Sequence, residues 1–344
     1  MRLVFLGSPA FALPSLEALH AAGHEVGLVV TQPDRPAGRG QKTTPPPVAV
    51  YAREHGLALW QTSSLRGAEA EARLREFEPE AMALAAFAAL VPNNVLAIAP
   101  RGILNVHPSL LPRWRGAAPI QATLLAGDPE TGVSIIRLVS ALDAGPIFVQ
   151  ERVAIAAFDD YLSLEASLSS LGARLLVQTL DEWPEPREQD DAAATYCRKI
   201  ERDDARIDWS APAELIWRQV RAYRGWPQAF TSVGDRQLKV LRATPLGRDL
   251  VHHTDDRGAD AQMVVRSAEE AVRGAAPKES DFGTEEALQA GEPGTVTLDR
   301  GIPVVATGRG GALRLDEVQL EGKRAMSGAE FARGYPNLEG TKLA

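Results

Sequence analysis

The chain has 344 residues, 45% of them hydrophobic, and Cys197 is its single cysteine. Such a length exceeds what one hydrophobic core serves, roughly 250 to 300 residues, so two domains are expected. One cysteine excludes a disulfide framework or a thiolate zinc site built from this chain alone, and fits a reducing compartment. The net charge of −8 disfavours a uniformly basic surface for nucleic acid, yet acids crowd residues 181–191 and 279–292, which leaves the remainder close to neutral and local basic patches open.

Residues 2–6 read as a first strand that turns at once into Gly7-Ser8-Pro9, too early for the apolar stretch of a signal peptide. Ser8 can cap a helix opening at Pro9, with Leu13, Leu16 and Leu19 at helical spacing. Strands are expected over 25–31, 80–86, 103–106, 133–139 and 147–155, and helices over 47–55, 119–126 and 161–183. This alternation is the signature of a parallel α/β sheet. The longest apolar run, 81–91, falls far short of the roughly 18 residues needed to span a bilayer, so a soluble cytoplasmic protein is expected.

Residues 184–206 are Pro-rich and acidic at their start and read as a solvated linker. Beyond it, 212–223 is an amphipathic helix, and 228–233, 238–243, 295–298, 303–306 and 312–319 alternate like antiparallel strands. The expected division is a catalytic domain over 1–183, a linker over 184–206 and a small β-barrel over 207–344. The polar stretch 245–291 is expected to be a loop inserted in that barrel.

Chemistry concentrates between Asn105 and Gly145. Gly7 stands alone after the first strand, without the later glycines of a dinucleotide fingerprint, which disfavours a nicotinamide enzyme. Asn105 and His107 alternate along an extended segment, so both face one way at a strand's C-terminal end, where open α/β sheets bind ligands. An amide donor and an imidazole there can stabilise an oxyanion and handle a proton, as acyl transfer to an amine requires. Asp143 sits where a turn can bring a carboxylate to the imidazole. Taken singly, each also admits a plain reading: a turn former, a half-buried structural imidazole and a solvated turn acid. The loop 32–42 carries Arg35, Arg39 and Lys42 against Asp34 and by itself reads as a solvated connection. No His/Asp/Glu cluster with metal-ligand spacing is visible.

The run Asn105-Val106-His107-Pro108-Ser109-Leu110-Leu111-Pro112, with Asp143-Ala144-Gly145 downstream, resembles the folate-dependent formyltransferase family. Residues 109–121, 31–40, 206–210, 311–314 and 321–324 are similar to the branch of that family whose acceptor is a charged tRNA, and only about 245–291 lies outside the likeness. The resemblance implies a Rossmann-like parallel-sheet domain followed by a small OB-like β-barrel that binds tRNA. It implies 10-formyltetrahydrofolate as co-substrate without a metal, and transfer of its formyl group to the α-amino group of initiator methionyl-tRNA for translation initiation, by a monomer with no membrane partner.

Carried over by position, the resemblance makes Asn105, His107 and Asp143 catalytic. It sets the backbone of Ser109, Leu110, Leu111 and Pro112 against the folate, with Phe87, Ala88, Leu90 and Leu142 around its pterin. Arg35, Arg39 and Lys42 would clamp the tRNA acceptor arm, with Arg113, Arg115, Lys323 and Arg324 as further phosphate contacts. Two positions depart from the family pattern: Phe87-Ala88 stands where Tyr-Gly is usual, and Ser134 where threonine is usual. Two rival readings stay open, a sister formyltransferase acting on a nucleotide-sugar or glycinamide ribonucleotide amine, and a non-catalytic tRNA-binding protein.

Overall fold

A computed structural model describes residues 1–37, 42–246 and 291–344. The chain divides into two compact units, Met1–Ile200 and Glu201–Ala344. In the first the strands are β1 (Arg2–Gly7), β2 (Glu25–Thr31), β3 (Arg35–Ala37), β4 (Lys42–Thr44), β5 (Leu59–Gln61), β6 (Ala81–Ala85), β7 (Ile103–His107), β8 (Arg115–Gly116), β9 (Glu130–Arg137), β10 (Ile147–Ala154) and β11 (Tyr196–Cys197). The helices are α1 (Leu13–Ala21), α2 (Pro47–Glu54), α3 (Ala68–Glu76), α4 (Asn93–Leu96), α5 (Pro119–Ala126) and α6 (Tyr161–Glu182).

Seven strands form one sheet in the order β10-β9-β7-β6-β1-β2-β5. The five from β7 to β5 run parallel, while β9 and β10 are antiparallel at one edge. From β1 the chain moves outward to β2 and β5, then returns to the far side of β1 for β6 and β7. The direction therefore switches between β1 and β6, and at such a point the strands' C-terminal ends leave a ligand crevice. Because both faces are covered, β1 and β6 are nearly continuous apolar runs. Val4, Leu6, Val30, Met82, Leu84 and Ile103 pack on one face with Leu74 of α3 and Val95 of α4. On the other, α6 lies so close to β7 that a Cβ at Gly172 would stand 2.5 Å from Val106.

Local chemistry sets the helix ends. Asp160 accepts from the Leu162 and Ser163 amides and opens α6 with a capping box. Pro119 opens α5, and Gly127 ends it in the left-handed conformation. The expected cap at Ser8 is not made. A 3-10 turn at Ala10–Ala12 precedes α1, which starts at Leu13 because Pro14 is tolerated only in a first turn, and the Ser8 hydroxyl instead accepts the Gln32 amide at 2.8 Å. The loop after β2 contains an antiparallel pair, β3 with β4. The expected linker is largely exposed but tied down by hydrogen bonds: Arg187 exchanges both backbone bonds with Ile147, and β11 pairs in parallel with β8.

The second unit holds α7 (Ala213–Ala222), β12 (Phe230–Val233), β13 (Arg236–Leu246), β14 (Val296–Asp299), β15 (Ile302–Ala306), β16 (Ala312–Leu320), β17 (Met326–Ser327) and α8 (Gly328–Gly334). Its antiparallel sheet runs β12-β13-β16-β15-β14, with β17 on β16. Register irregularities between Val240 and Ala243 of β13 fit a bent, curled strand. The edges β12 and β14 are bridged by residues 340–344: Ser232 and Ala344 exchange backbone bonds, and Val296 pairs with Gly340 and Thr341. The result is the small OB-like barrel expected, filled by Trp209, Ile216, Val220, Leu313, Leu315 and Phe331. Of the stretch 245–291 expected as an inserted loop, residues 247–290 lie outside the described residues. No helix among the described residues is long and apolar enough to cross a membrane.

Candidate active site

Asn105 and His107 alternate on β7 and project from the face that Ile103 gives to the core, 7% and 4% exposed. His107 Nε2 lies 3.0 Å from the Trp114 carbonyl oxygen. A carbonyl only accepts, so Nε2 carries the proton and Nδ1 is the nitrogen left to take one up. Asp143 Oδ2 stands 3.7 Å from Nδ1 and accepts the Gly116 N–H at 2.9 Å. That separation is beyond a hydrogen bond but well within reach of charge attraction. Burial pushes the imidazole below its ordinary range, against the opposing pull of the Asp143 carboxylate and the Trp114 hydrogen bond. His107 is therefore a neutral imidazole at neutral pH with a carboxylate beside its basic nitrogen. Among the described residues no protein group takes a hydrogen bond from the Asn105 side chain, so its amide remains a donor for a ligand.

The loop after β7 is held from within. Ser134 Oγ donates to the Ser109 carbonyl at 2.7 Å and accepts the Leu111 N–H at 3.2 Å and Gln150 Nε2 at 2.8 Å, so serine supplies the hydroxyl where the family pattern has threonine. Gln150 Nε2 also donates to the Leu111 carbonyl, and Leu110's carbonyl accepts the Arg113 N–H. Leu111 is buried with Ile136 and Ile147. Most polar backbone groups of Ser109 to Pro112, expected to face the folate, are thus engaged in the loop's own scaffold.

The Phe87 side chain is buried with Val30, Leu84 and Val95 instead of lining a pocket, and its carbonyl accepts Gln32 Nε2 at 3.2 Å. Its neighbours Ala86 and Ala88 are exposed at φ of +46° and +60°. Glycine would adopt such a backbone freely, whereas alanine does so at a cost on the order of 1 kcal/mol. Leu90 and Leu142 are 75% and 61% exposed, on the loops that follow β6 and β9. Ala89, Val91 and Leu138 of those loops each pack against the same core as Phe87.

Of the basic residues, Arg35 is exposed on β3 and donates to Gln32 Oε1, Lys42 opens β4, and Arg39 lies outside the described residues. Lys323 and Arg324 are exposed in the turn between β16 and β17, with Arg324 paired to Glu330. Arg113 makes a two-pronged pair with Asp128, at 2.8 and 2.6 Å, and stacks over the Trp114 ring, whose Nε1 donates to the same carboxylate. Arg115 departs from expectation. It is 2% exposed and bound to Asp191 and Gln189, so it is a structural cation and not a phosphate contact. Asp191 lies 76 residues away, which no local pattern could reveal. Gln150 was missed for the same reason. Asp128 carried one local signal, the helix-ending Gly127 before it. Among the described residues no group of three or more His, Cys, Asp or Glu could hold a metal ion.

A donor amide and an imidazole beside a carboxylate, at the end of a parallel strand, are groups that can serve acyl transfer. Residues 1–180 match the formyl transferase family model and 199–336 that of the formyl transferase C-terminal domain. The chain belongs to the formyl transferase family. A methionyl-tRNA formyltransferase of Methylococcus capsulatus is 40% identical over 347 residues, spanning 100% of this chain and 99% of that protein. One of Thiobacillus denitrificans is 39% identical over the same shares. Among solved structures, HypX from Aquifex aeolicus in complex with tetrahydrofolic acid has a TM-score of 0.60 at 15% identity, over 98% of this chain and 48% of that one. WlaRD, a sugar 3N-formyl transferase, has a TM-score of 0.61 at 13% identity, over 94% and 99%. At such identities the last two share the fold.

Proposed function

We propose that this chain transfers the formyl group of 10-formyltetrahydrofolate to the α-amino group of initiator methionyl-tRNA, as a metal-free cytoplasmic monomer. The observation that carries the reading is the buried Asn105 and His107 with the partly buried Asp143 beside them on a formyl transferase fold, in a chain alike over its full length to methionyl-tRNA formyltransferases. The folate fits what surrounds the site: exposed Leu90 and Leu142 offer apolar flanks for a flat ring, and among the described residues the Asn105 amide is a donor without a protein partner. The carrier supplies an activated formyl group. The amide of Asn105 donates to the acyl oxygen on which negative charge develops. His107 Nδ1 takes up the proton that the amine sheds as its nitrogen bonds the formyl carbon, and Asp143 stabilises the imidazolium so formed. His107 then returns that proton to the folate nitrogen as the bond between it and the formyl carbon breaks and tetrahydrofolate leaves. An α-amino group titrates near about 7.7 to 8.0, so this base need not be strong. Ser109, Leu110 and Pro112 belong to the loop beside the carrier, Ala88 to its rim. Arg35, Arg39, Lys42, Lys323 and Arg324 are the proposed tRNA phosphate contacts, with Arg113 secondary because Asp128 already holds it.

The deciding assay follows 10-formyltetrahydrofolate consumption with charged initiator tRNA, an amino nucleotide-sugar or glycinamide ribonucleotide as acceptor. Turnover only with a small amine selects the sister-enzyme reading, and tRNA binding without turnover selects the non-catalytic one. For recognition, Arg35→Ala and Lys323→Ala should each flatten the salt dependence of tRNA affinity by about 0.7 to 0.9 in log–log slope and leave folate affinity alone. Parallel lines for wild type and both variants would remove these residues from the RNA interface.

Asp143→Asn should move the acid limb of the rate profile. The carboxylate raises the His107 pKa, so its removal lowers that pKa further, and the neutral base survives to lower pH. The limb is expected below its wild-type position, together with a reduced kcat. An unmoved limb would mean that the pair does not interact.

A further inference from the structure

The segment that follows α6 carries hydrogen bonds that end on the catalytic groups. Thr195 grips the loop after β7 at three points. Its N–H donates to the Pro112 carbonyl at 3.2 Å, its hydroxyl accepts the Trp114 N–H at 2.9 Å, and its carbonyl accepts the Arg115 N–H at 2.9 Å. Trp114 supplies the carbonyl that fixes His107 Nε2, and Gly116 in β8 supplies the N–H that holds Asp143. Cys197 continues the grip, its carbonyl accepting the Ala117 N–H at 3.2 Å. It approaches Gly116, at φ +122°, so closely that a Cβ there would stand 2.1 Å from that oxygen, and glycine alone permits it. Gln189 reaches the other member of the pair. Its Nε2 donates to the carbonyls of Asp143 and Gly145 at 2.8 and 2.7 Å, while its Oε1 accepts from the buried Arg115 guanidinium.

His107 and Asp143 are 3.7 Å apart with no hydrogen bond between them, so their spacing is imposed by what holds each one. Both holds run to the same segment. We propose that residues 187–197 form a strap that sets the His107–Asp143 pair, with Thr195 and Gln189 as positioning residues acting through Trp114, Gly116 and the Asp143 turn. This inference rests on reading His107 and Asp143 as the catalytic pair. A spacer between two domains requires none of these bonds, whereas a proton acceptor and its carboxylate lose rate steeply when misplaced by about 1 Å.

The test is steady-state kinetics on the full-length protein, with thermal melting, for Thr195→Val, Thr195→Ser, Gln189→Met, His107→Ala and Asp143→Asn. Valine keeps the shape of Thr195 without its hydroxyl, and serine keeps the hydroxyl. Thr195→Val and Gln189→Met should lower kcat by roughly 10- to 100-fold with KM for both substrates within about twofold. Thr195→Ser should recover kcat to within about threefold of wild type, because the acceptor for Trp114 is restored. In the Asp143→Asn background the Gln189→Met loss should shrink, since groups acting through one another are not additive. The strap is overturned if Thr195→Val and Gln189→Met both turn over like wild type, if serine loses as much as valine, if the losses fall in KM, or if the Gln189 and Asp143 losses add in full. If His107→Ala and Asp143→Asn themselves keep wild-type kcat, the catalytic reading fails first, a result distinct from failure of the strap alone.

Discussion

His107→Ala is expected to lower kcat by roughly two to three orders of magnitude, with folate affinity near wild type. On the proposed mechanism alanine removes both the nitrogen that takes up the amine's proton and the positive charge that then faces Asp143. The variant is not silent for stability. His107 is buried on β7, and its loss leaves the Trp114 carbonyl only the weak Cys197 Sγ–H at 3.7 Å, a cost of about 1 kcal/mol. The measurement is therefore a single-turnover rate at a temperature where the variant's melting curve shows it folded. A loss below about threefold in folded protein would take His107 out of the chemistry.

The legible parts of the chain are those whose signal is local. Strands β1, β2 and β6 show as short apolar runs because both faces of the sheet are covered, and α5 shows at Pro119 and Gly127 because these residues set its ends. Asn105 and His107 show because strand alternation puts them on one face. The parts that stayed hidden depend on contacts distant in sequence. Acidic, Pro-rich residues after α6 look solvated by composition, yet Asp191 and Gln189 neutralise and cover Arg115, and Thr195 binds a loop some 80 residues earlier. The same burial converts Arg115 from an expected RNA contact into part of the scaffold. Phe87 looked like a pocket residue by position, but the left-handed Ala86 and Ala88 on either side turn it into the core. Residues with a polar end and a remote partner are where one-dimensional patterns fail.

Asn105→Asp should be the most damaging isosteric change, and it carries a second signature. It removes the Nδ2–H donor, which alone costs roughly 10²- to 10³-fold in kcat, about 2.7 to 4 kcal/mol of transition-state stabilisation. It also places a carboxylate where negative charge develops, so the loss should exceed that of Asn105→Ala. The new carboxylate stands two residues from His107 on the same face of β7, roughly 7 Å along the strand. An added negative charge at that distance favours imidazolium and raises the His107 pKa. The neutral base is then lost at a higher pH as acidity increases, and the acid limb of the rate profile moves upward, opposite in sign to Asp143→Asn. Asn105→Ala adds no charge and should lower the rate with little displacement of the limb. The experiment is kcat against pH for wild type and the three variants, each checked for folding across the range, because a buried carboxylate without a donor is itself destabilising. Coincident profiles for the Asp and Ala variants, or displacements of one sign for Asn105→Asp and Asp143→Asn, would show that Asn105, His107 and Asp143 do not act as one electrostatic unit.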